Sequence, residues 1–214
     1  MSQGVYIVVE GPDGTGKTTQ AQLLVKRLKL DGKSARYVHE PGETTMGLEL
    51  EKIIKNRDLA RDPQTDFLLF TANRVEVFNQ VINPALQNNE TIVADRNWLS
   101  SVAYQGIASG LGAATIQKQT AKWLPIEYTQ PTFTILLYMP KATQHKSMLA
   151  KRGTSAKDYF ESKPDTFLEK IKTGYDKAAS LCKPGSYVRV SAEGTIEEVH
   201  ARILETLRQA SIIL

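Results

Sequence analysis

A single cysteine, Cys182, stands among the 214 residues, so the chain builds neither a disulfide framework nor a Cys/His zinc cluster. It precedes Lys183-Pro184-Gly185 in a polar stretch where an inert thiol is expected. Histidine is scarce too: His39, His145 and His200 have no ligand spacing, which points to surface or packing positions. No apolar run approaches the roughly 18 residues of a membrane span, and the longest, such as Phe133 to Pro140, have strand length. The amino terminus enters an apolar strand almost directly, without the basic flank and cleavage site of a signal peptide, so the cytoplasm is the expected compartment. Excess charge is small: 27 basic against 23 acidic residues leave +4, spread along the chain. That balance suits a protein that handles small polyanions, and neither a nucleic-acid nor a membrane partner is expected.

What is present is the composition of one globular domain, 41% hydrophobic and 23% charged. At this length folding removes roughly 70% of the unfolded surface from water, so residues 1–214 are expected to form a single domain without a structural metal. Strand-length apolar runs recur at Val5–Val9, Ala35–His39, Thr91–Ala94, Phe133–Tyr138 and Tyr187–Val190. Between them lie helical patterns. Ala21, Leu24, Val25 and Leu28 fall on one helix face, and Gly32 is placed to end that helix. Near the carboxyl end, Thr195 and Glu198 have capping-box spacing, with Ile196, Val199, Ile203, Leu204 and Leu207 behind them. Strands apolar on both faces, alternating with amphipathic helices, predict an α/β fold: a five-stranded, mostly parallel sheet flanked by helices. Irregular stretches near residues 40–46, 106–113 and 152–164 are expected to be loops at the working edge of that sheet.

Gly11-Pro12-Asp13-Gly14-Thr15-Gly16-Lys17-Thr18 matches G-x-x-x-x-G-K-[ST], directly after the first strand and before the first helix. The glycines let backbone N–H groups turn inward on a phosphate, and the helix amino terminus adds its positive end. Lys17 is suited to reach the β and γ phosphates and the Thr18 hydroxyl to ligate Mg2+. A P-loop of this kind also needs an acidic residue at the end of a neighbouring strand. Asp95, closing Thr91-Ile92-Val93-Ala94, supplies it, with a helix N-cap as a compatible second role. Phe70 and Arg74 are four residues apart and share a helix face, an aromatic plate beside a guanidinium. Phe70 also suits the core, and Arg74 a surface carboxylate.

The chain resembles the thymidylate kinase family from about Val5 to Leu207. Its landmarks are Glu10-Gly11 through Thr19, Glu40-Pro41-Gly42, Leu69 to Arg74, Asp95-Arg96 and Tyr104-Gln105-Gly106, in order and at the expected spacing. The resemblance implies a P-loop kinase fold with a short lid, ATP as donor, Mg2+ as cofactor, phosphorylation of dTMP to dTDP and a homodimer formed beside Phe67–Phe78. It implies that Gly11, Asp13, Gly14, Thr15, Gly16, Lys17, Thr18 and Thr19 bind the donor and that Thr18 and Asp95 face the metal. By the same resemblance Phe70 stacks on thymine, Arg74 holds the acceptor phosphate, and Asp13 accepts from the 3′-hydroxyl. Ser101 and Gln105 then approach the base, Tyr104 crowds the 2′ position, and Glu40-Pro41 shapes the floor, with a cis bond as one form of that turn. Arg96 is placed by the transferring phosphate, where a planar guanidinium suits phosphate oxygens.

The lid, about 152–163, departs from the family. The resemblance implies a catalytic arginine either in the cradle or in the lid; the cradle has none, so the positive charge is expected from the lid, with Arg152 as the catalytic candidate beside Lys17 and Arg96, and Lys151 and Lys157 as secondary cations. Where the family commonly has Asp-Arg-x-Glu, this chain has Asp158-Tyr159-Phe160-Glu161, and Met148 stands where an arginine is frequent. Glu43 stands where a second glycine is common. These departures keep two other readings open at this point: a kinase for another deoxynucleotide or deoxynucleoside, or a weakly active nucleotide-binding regulator.

Overall fold

A computed structural model describes residues 4–140, 159–160 and 163–213. The strands are β1 (Tyr6–Glu10), β2 (Ala35–His39), β3 (Thr91–Asp95), β4 (Phe133–Tyr138) and β5 (Tyr187–Ser191), each where the apolar runs placed it. They pair in the order β2-β3-β1-β4-β5, and every pairing is parallel, so the sheet is wholly rather than mostly parallel. Each strand but the last is followed by a helical crossover long enough to return the chain to the same end of the sheet, which parallel pairing requires.

Side chains of the central strands divide between two cores. Tyr6, Val8, Ile92, Ala94 and Leu136 point to one, and Ile7, Val9, Val93, Ile135 and Leu137 to the other. The second core is closed by α1 (Lys17–Leu30) and α9 (Ile196–Gln209). Ala21, Leu24, Val25 and Leu28 form the buried face of α1 as their spacing requires, and Gly32 takes a positive φ just beyond its end. The capping box of Thr195 and Glu198 is formed. Ile196, expected on the buried face of α9, is instead exposed as the first residue of that helix. The expectation of strands apolar on both faces also fails at the margins: β2 and β5 are edge strands, and Arg36, Tyr187 and Arg189 face water.

The first core lies under α2 (Thr45–Lys55), α3 (Pro63–Val77), α4 (Asn83–Gln87), α5 (Trp98–Ser101), α6 (Ala113–Trp123), α7 (Ile126–Thr129) and α8 (Asp165–Ala179). Two π-helical segments extend these helices, Phe78–Ile82 after α3 and Val102–Ala108 after α5. The first precedes Pro84, which has no N–H to return to the α-helical ladder, so the turn widens ahead of it. In the second, the N–H groups of Ser109 and Gly112 reach back to the carbonyls of Tyr104 and Gly106, at 2.9 and 2.8 Å. Residues 106–108, expected in a loop, therefore belong to this wide helix. The wider turn allows the consecutive Tyr104 and Gln105 to line one cavity.

Gly174 of α8 crosses this π segment with no space for a side chain: a Cβ there would lie 2.6 Å from Ala103 Cα and 2.8 Å from its carbonyl oxygen. Gly174→Ala should therefore destabilise the protein by about 1–3 kcal/mol through overpacking, outweighing the gain of up to ~1 kcal/mol in helix propensity. Urea denaturation measures this, and an unchanged or raised midpoint would contradict the packing.

Candidate active site

Register places the site. Val9 pairs with Asp95, and His39 with Asp95 on the other side, so the carboxyl ends of β1, β2 and β3 open together. The loop after β1 turns through positive φ at Gly11, Gly14 and Gly16. At Gly11 no other residue fits, since a Cβ would sit 2.4 Å from the Leu137 carbonyl oxygen. The loop delivers Lys17 and Thr18 to the first turn of α1. Lys17 Nζ donates to the Pro12 carbonyl at 2.9 Å and lies 3.9 Å from the Asp13 carboxylate. Burial lowers its pKa to about 8, helped by the nearby Arg96 and opposed by Asp13.

The Thr18 hydroxyl donates to Asp95 Oδ2 at 2.5 Å, while Asp95 Oδ1 is buried without a hydrogen-bond partner. The N-cap of α5 is Asn97, whose side chain accepts from the Leu99 N–H, so Asp95 does not take that alternative role. Among the described residues, no cluster of three or more His, Cys, Asp or Glu forms a separate metal centre.

Arg96 leaves β3 at φ 78, a strained conformation for a residue with a side chain. Its guanidinium pairs with the Asp13 carboxylate and donates to the Tyr175 hydroxyl at 2.8 Å and Ser100 Oγ at 3.0 Å. Tyr104 donates to the other Asp13 oxygen at 2.6 Å. Behind this group lies Glu10, fully buried, accepting from the N–H groups of Asn97 and Ser100 and from the hydroxyls of Ser100 and Tyr175, all within 3.0 Å.

The second group surrounds Glu40. The Glu40-Pro41 bond is cis. Arg74 donates to Glu40 at 3.1 Å, to Ser101 Oγ at 2.8 Å and to the Asn97 carbonyl at 2.9 Å. The partner of Arg74 is thus a buried carboxylate and not the surface one its spacing left open. The Tyr128 hydroxyl lies 2.7 and 2.8 Å from the two Glu40 oxygens. Burial pushes the Glu40 carboxyl up to about 7, against the pull of Arg74 and the Tyr128 hydrogen bond. Phe70 is only partly buried, with the Arg74 guanidinium 5.4 Å from its ring centre.

A cavity of about 450 Å3 joins the two groups. Asp13, Lys17, Thr18, Asp95 and Arg96 form its cradle end; Glu40, Pro41, Phe70, Arg74, Ser101 and Gln105 form the other, with Tyr104 between. Gln105 Nε2 is buried there without a hydrogen-bond partner. Arg152, with Lys151 and Lys157, lies outside the described residues. Sequence reasoning missed Tyr175, Ser100 and Tyr128, because no local spacing tells which distant charge a side chain satisfies. It also missed Phe160, which lines the cavity; two adjacent aromatics in an otherwise polar stretch were its signal. Glu43 sits at φ 66, which is why glycine is common there, and its carboxylate is held 2.5 Å from His39 Nδ1.

The sequence model of the thymidylate kinase family matches residues 9–203. A thymidylate kinase of Deinococcus radiodurans is 33% identical over 206 residues, 95% of this chain and 96% of that protein. One from Halothermothrix orenii is 31% identical over 209 residues, covering 96% and 97%, and one from Exiguobacterium sibiricum 34% over 201 residues, covering 94% and 92%.

A lysine with a pKa near 8 loses the charge that a triphosphate needs at mildly alkaline pH. ATP affinity of the free protein should fall as pH rises through about 8, approaching tenfold per pH unit. Calorimetric titrations of ATP across this range check it; a flat affinity to about pH 9.5 would mean that Lys17 keeps its proton.

Proposed function

The chain belongs to the thymidylate kinase family, and from that premise we infer how it phosphorylates dTMP to dTDP with ATP as donor. The observation that carries the reading is the continuity of the cavity: Lys17 and Thr18 at one end, Phe70, Arg74 and Gln105 at the other. A donor phosphate on the cradle and a base against Phe70 then bring the acceptor phosphate to Arg96.

The backbone N–H groups of the cradle and Lys17 bind the β and γ phosphates. Because Lys17 is buried, its charge is worth more there than in water. Arg96 faces the acceptor phosphate, and Asp13 holds the guanidinium at the cradle. As an acceptor-phosphate oxygen attacks the γ phosphorus in line, the bond to the β–γ bridging oxygen breaks and ADP leaves, and the charge that builds lies between Lys17 and Arg96, where both cations are already oriented. Arg74 has three of its five N–H donors committed to the fold, so two remain for the acceptor where it lies against Phe70. The unpartnered Gln105 amide suits a base carbonyl. Tyr104, anchored by its bond to Asp13, occupies the space that a ribose 2′-hydroxyl would need.

Mg2+ fits the same reading. Thr18 Oγ and the Asp95 carboxylate are hard oxygen ligands, and the buried Asp95 Oδ1, which accepts no hydrogen bond, suits a cation. When bound, the ion would neutralise charge on the β and γ oxygens. Among the described residues no helix is long and apolar enough to cross a membrane. A free Cys182 and nucleotide substrates agree with a cytoplasmic kinase. A homodimer through α2 and α3 is part of the proposal, supported by the exposed apolar side chains Met46, Ile53 and Leu68.

An acceptor panel with ATP and Mg2+ tests the function: dTMP should be preferred, and dUMP disfavoured by only about 1–3 kcal/mol, the worth of one methyl group. Equal use of several deoxynucleoside monophosphates, or none, would sink it. Lys17→Ala should abolish transfer and leave the fold intact, read by thermal melting beside the assay. Tyr104→Ala should raise use of the ribonucleotide relative to dTMP; an unchanged ratio would remove the steric role.

A further inference from the structure

Tyr159 occupies the place where the family commonly has an arginine, and its surroundings are already cationic. The Arg61 guanidinium lies 4.1 Å and Lys163 Nζ 4.0 Å from the Tyr159 ring centre. Arg61 is itself fixed. It pairs with the buried Asp66 and donates to the carbonyls of Ile53 at 3.2 Å and Leu59 at 3.1 Å, which closes the turn between α2 and α3. The Tyr159 N–H donates to the Lys55 carbonyl at 3.2 Å, and its hydroxyl lies 3.4 Å from the Arg61 carbonyl. Ring and backbone of Tyr159 are thus tied to one rigid turn.

The next residue faces the cavity. Phe160 meets Tyr104 edge-on at 5.4 Å, lies 5.9 Å from the Phe70 ring, and meets the ring of Tyr159 edge-on at 5.1 Å. A residue can be held as an aromatic wall only if its neighbours in the chain are held. Phe160 is held both through its own carbonyl, which accepts from the Lys163 N–H at 3.2 Å, and through the cation-bound ring of Tyr159.

We propose that Tyr159 is a positioning residue for the acceptor site: Arg61 and Lys163 grip its ring, and that grip fixes Phe160 beside Phe70 and Tyr104 before dTMP arrives. The proposal rests on dTMP being the acceptor. A wall set in advance costs less ordering on binding, so the effect falls on acceptor affinity and leaves the donor end alone. Arginine at 159 would set a third cation beside Arg61 and Lys163 and release the grip.

The test is calorimetric binding of dTMP without ATP, together with KM for each substrate, kcat and melting temperature. Tyr159→Ala and Tyr159→Arg should raise the dTMP Kd and KM about tenfold, with the ATP KM within about twofold. Tyr159→Phe keeps the ring and should bind dTMP like the unaltered kinase, while Phe160→Ala should weaken dTMP as Tyr159→Ala does. Lys163→Gln removes one cation without entering the core and should cost a few-fold, which keeps the test valid if Tyr159→Ala does not fold. An unchanged dTMP Kd in Tyr159→Arg and Lys163→Gln, or an equal rise in the ATP KM, overturns the proposal. Failure of the unaltered kinase to bind dTMP would overturn the acceptor reading first, and this one with it.

Discussion

The carboxylate of Glu10 has no access to water, and that constraint organises the active site. An unpaired charge in such a place costs several kcal/mol, so donors must converge on it. They come from the turn after β3, from α5 and from α8, through Asn97, Ser100 and Tyr175. Satisfying one charge therefore fixes the first residue before the cradle against the segment that carries Arg96. The strain of Arg96 at φ 78, on the order of 1–3 kcal/mol, is held by the same partners, since Ser100 and Tyr175 bind both Glu10 and Arg96.

The pair of Glu40 and Arg74 repeats this logic at the acceptor end. A buried ion pair adds little net stability, because desolvation offsets most of the attraction. Its use here is orientation. Glu40, held also by Tyr128, sets the plane of the Arg74 guanidinium next to Phe70, so a ligand meets donors already in place. The two networks meet at Asn97, whose N–H serves Glu10 and whose carbonyl serves Arg74. Donor and acceptor ends are thereby tied through one residue.

Departures from the family pattern come with their own partners. Glu43, in a conformation that favours glycine, receives hydrogen bonds from the backbone N–H and the ring of His39, and these ties offset its strain. Tyr159, where a lid cation is usual, lies between groups that are themselves cationic. Each exchange replaces a local requirement with a contact made in the tertiary structure.

By itself the sequence determined the strands, the helix faces of α1 and α9, the cradle from Gly11 to Thr18 and the pairing of Phe70 with Arg74 on one helix face. All of these depend on spacing within a few residues, where period and turn chemistry leave one solution. Only the tertiary structure decided the all-parallel order, the exposed edges of β2 and β5, the π segments and the assignment of donors to buried charges. Tyr175 reaches Glu10 across 165 positions of chain and Arg74 reaches Glu40 across 34. No local pattern records such a meeting, and packing alone selects the carboxylate each one finds.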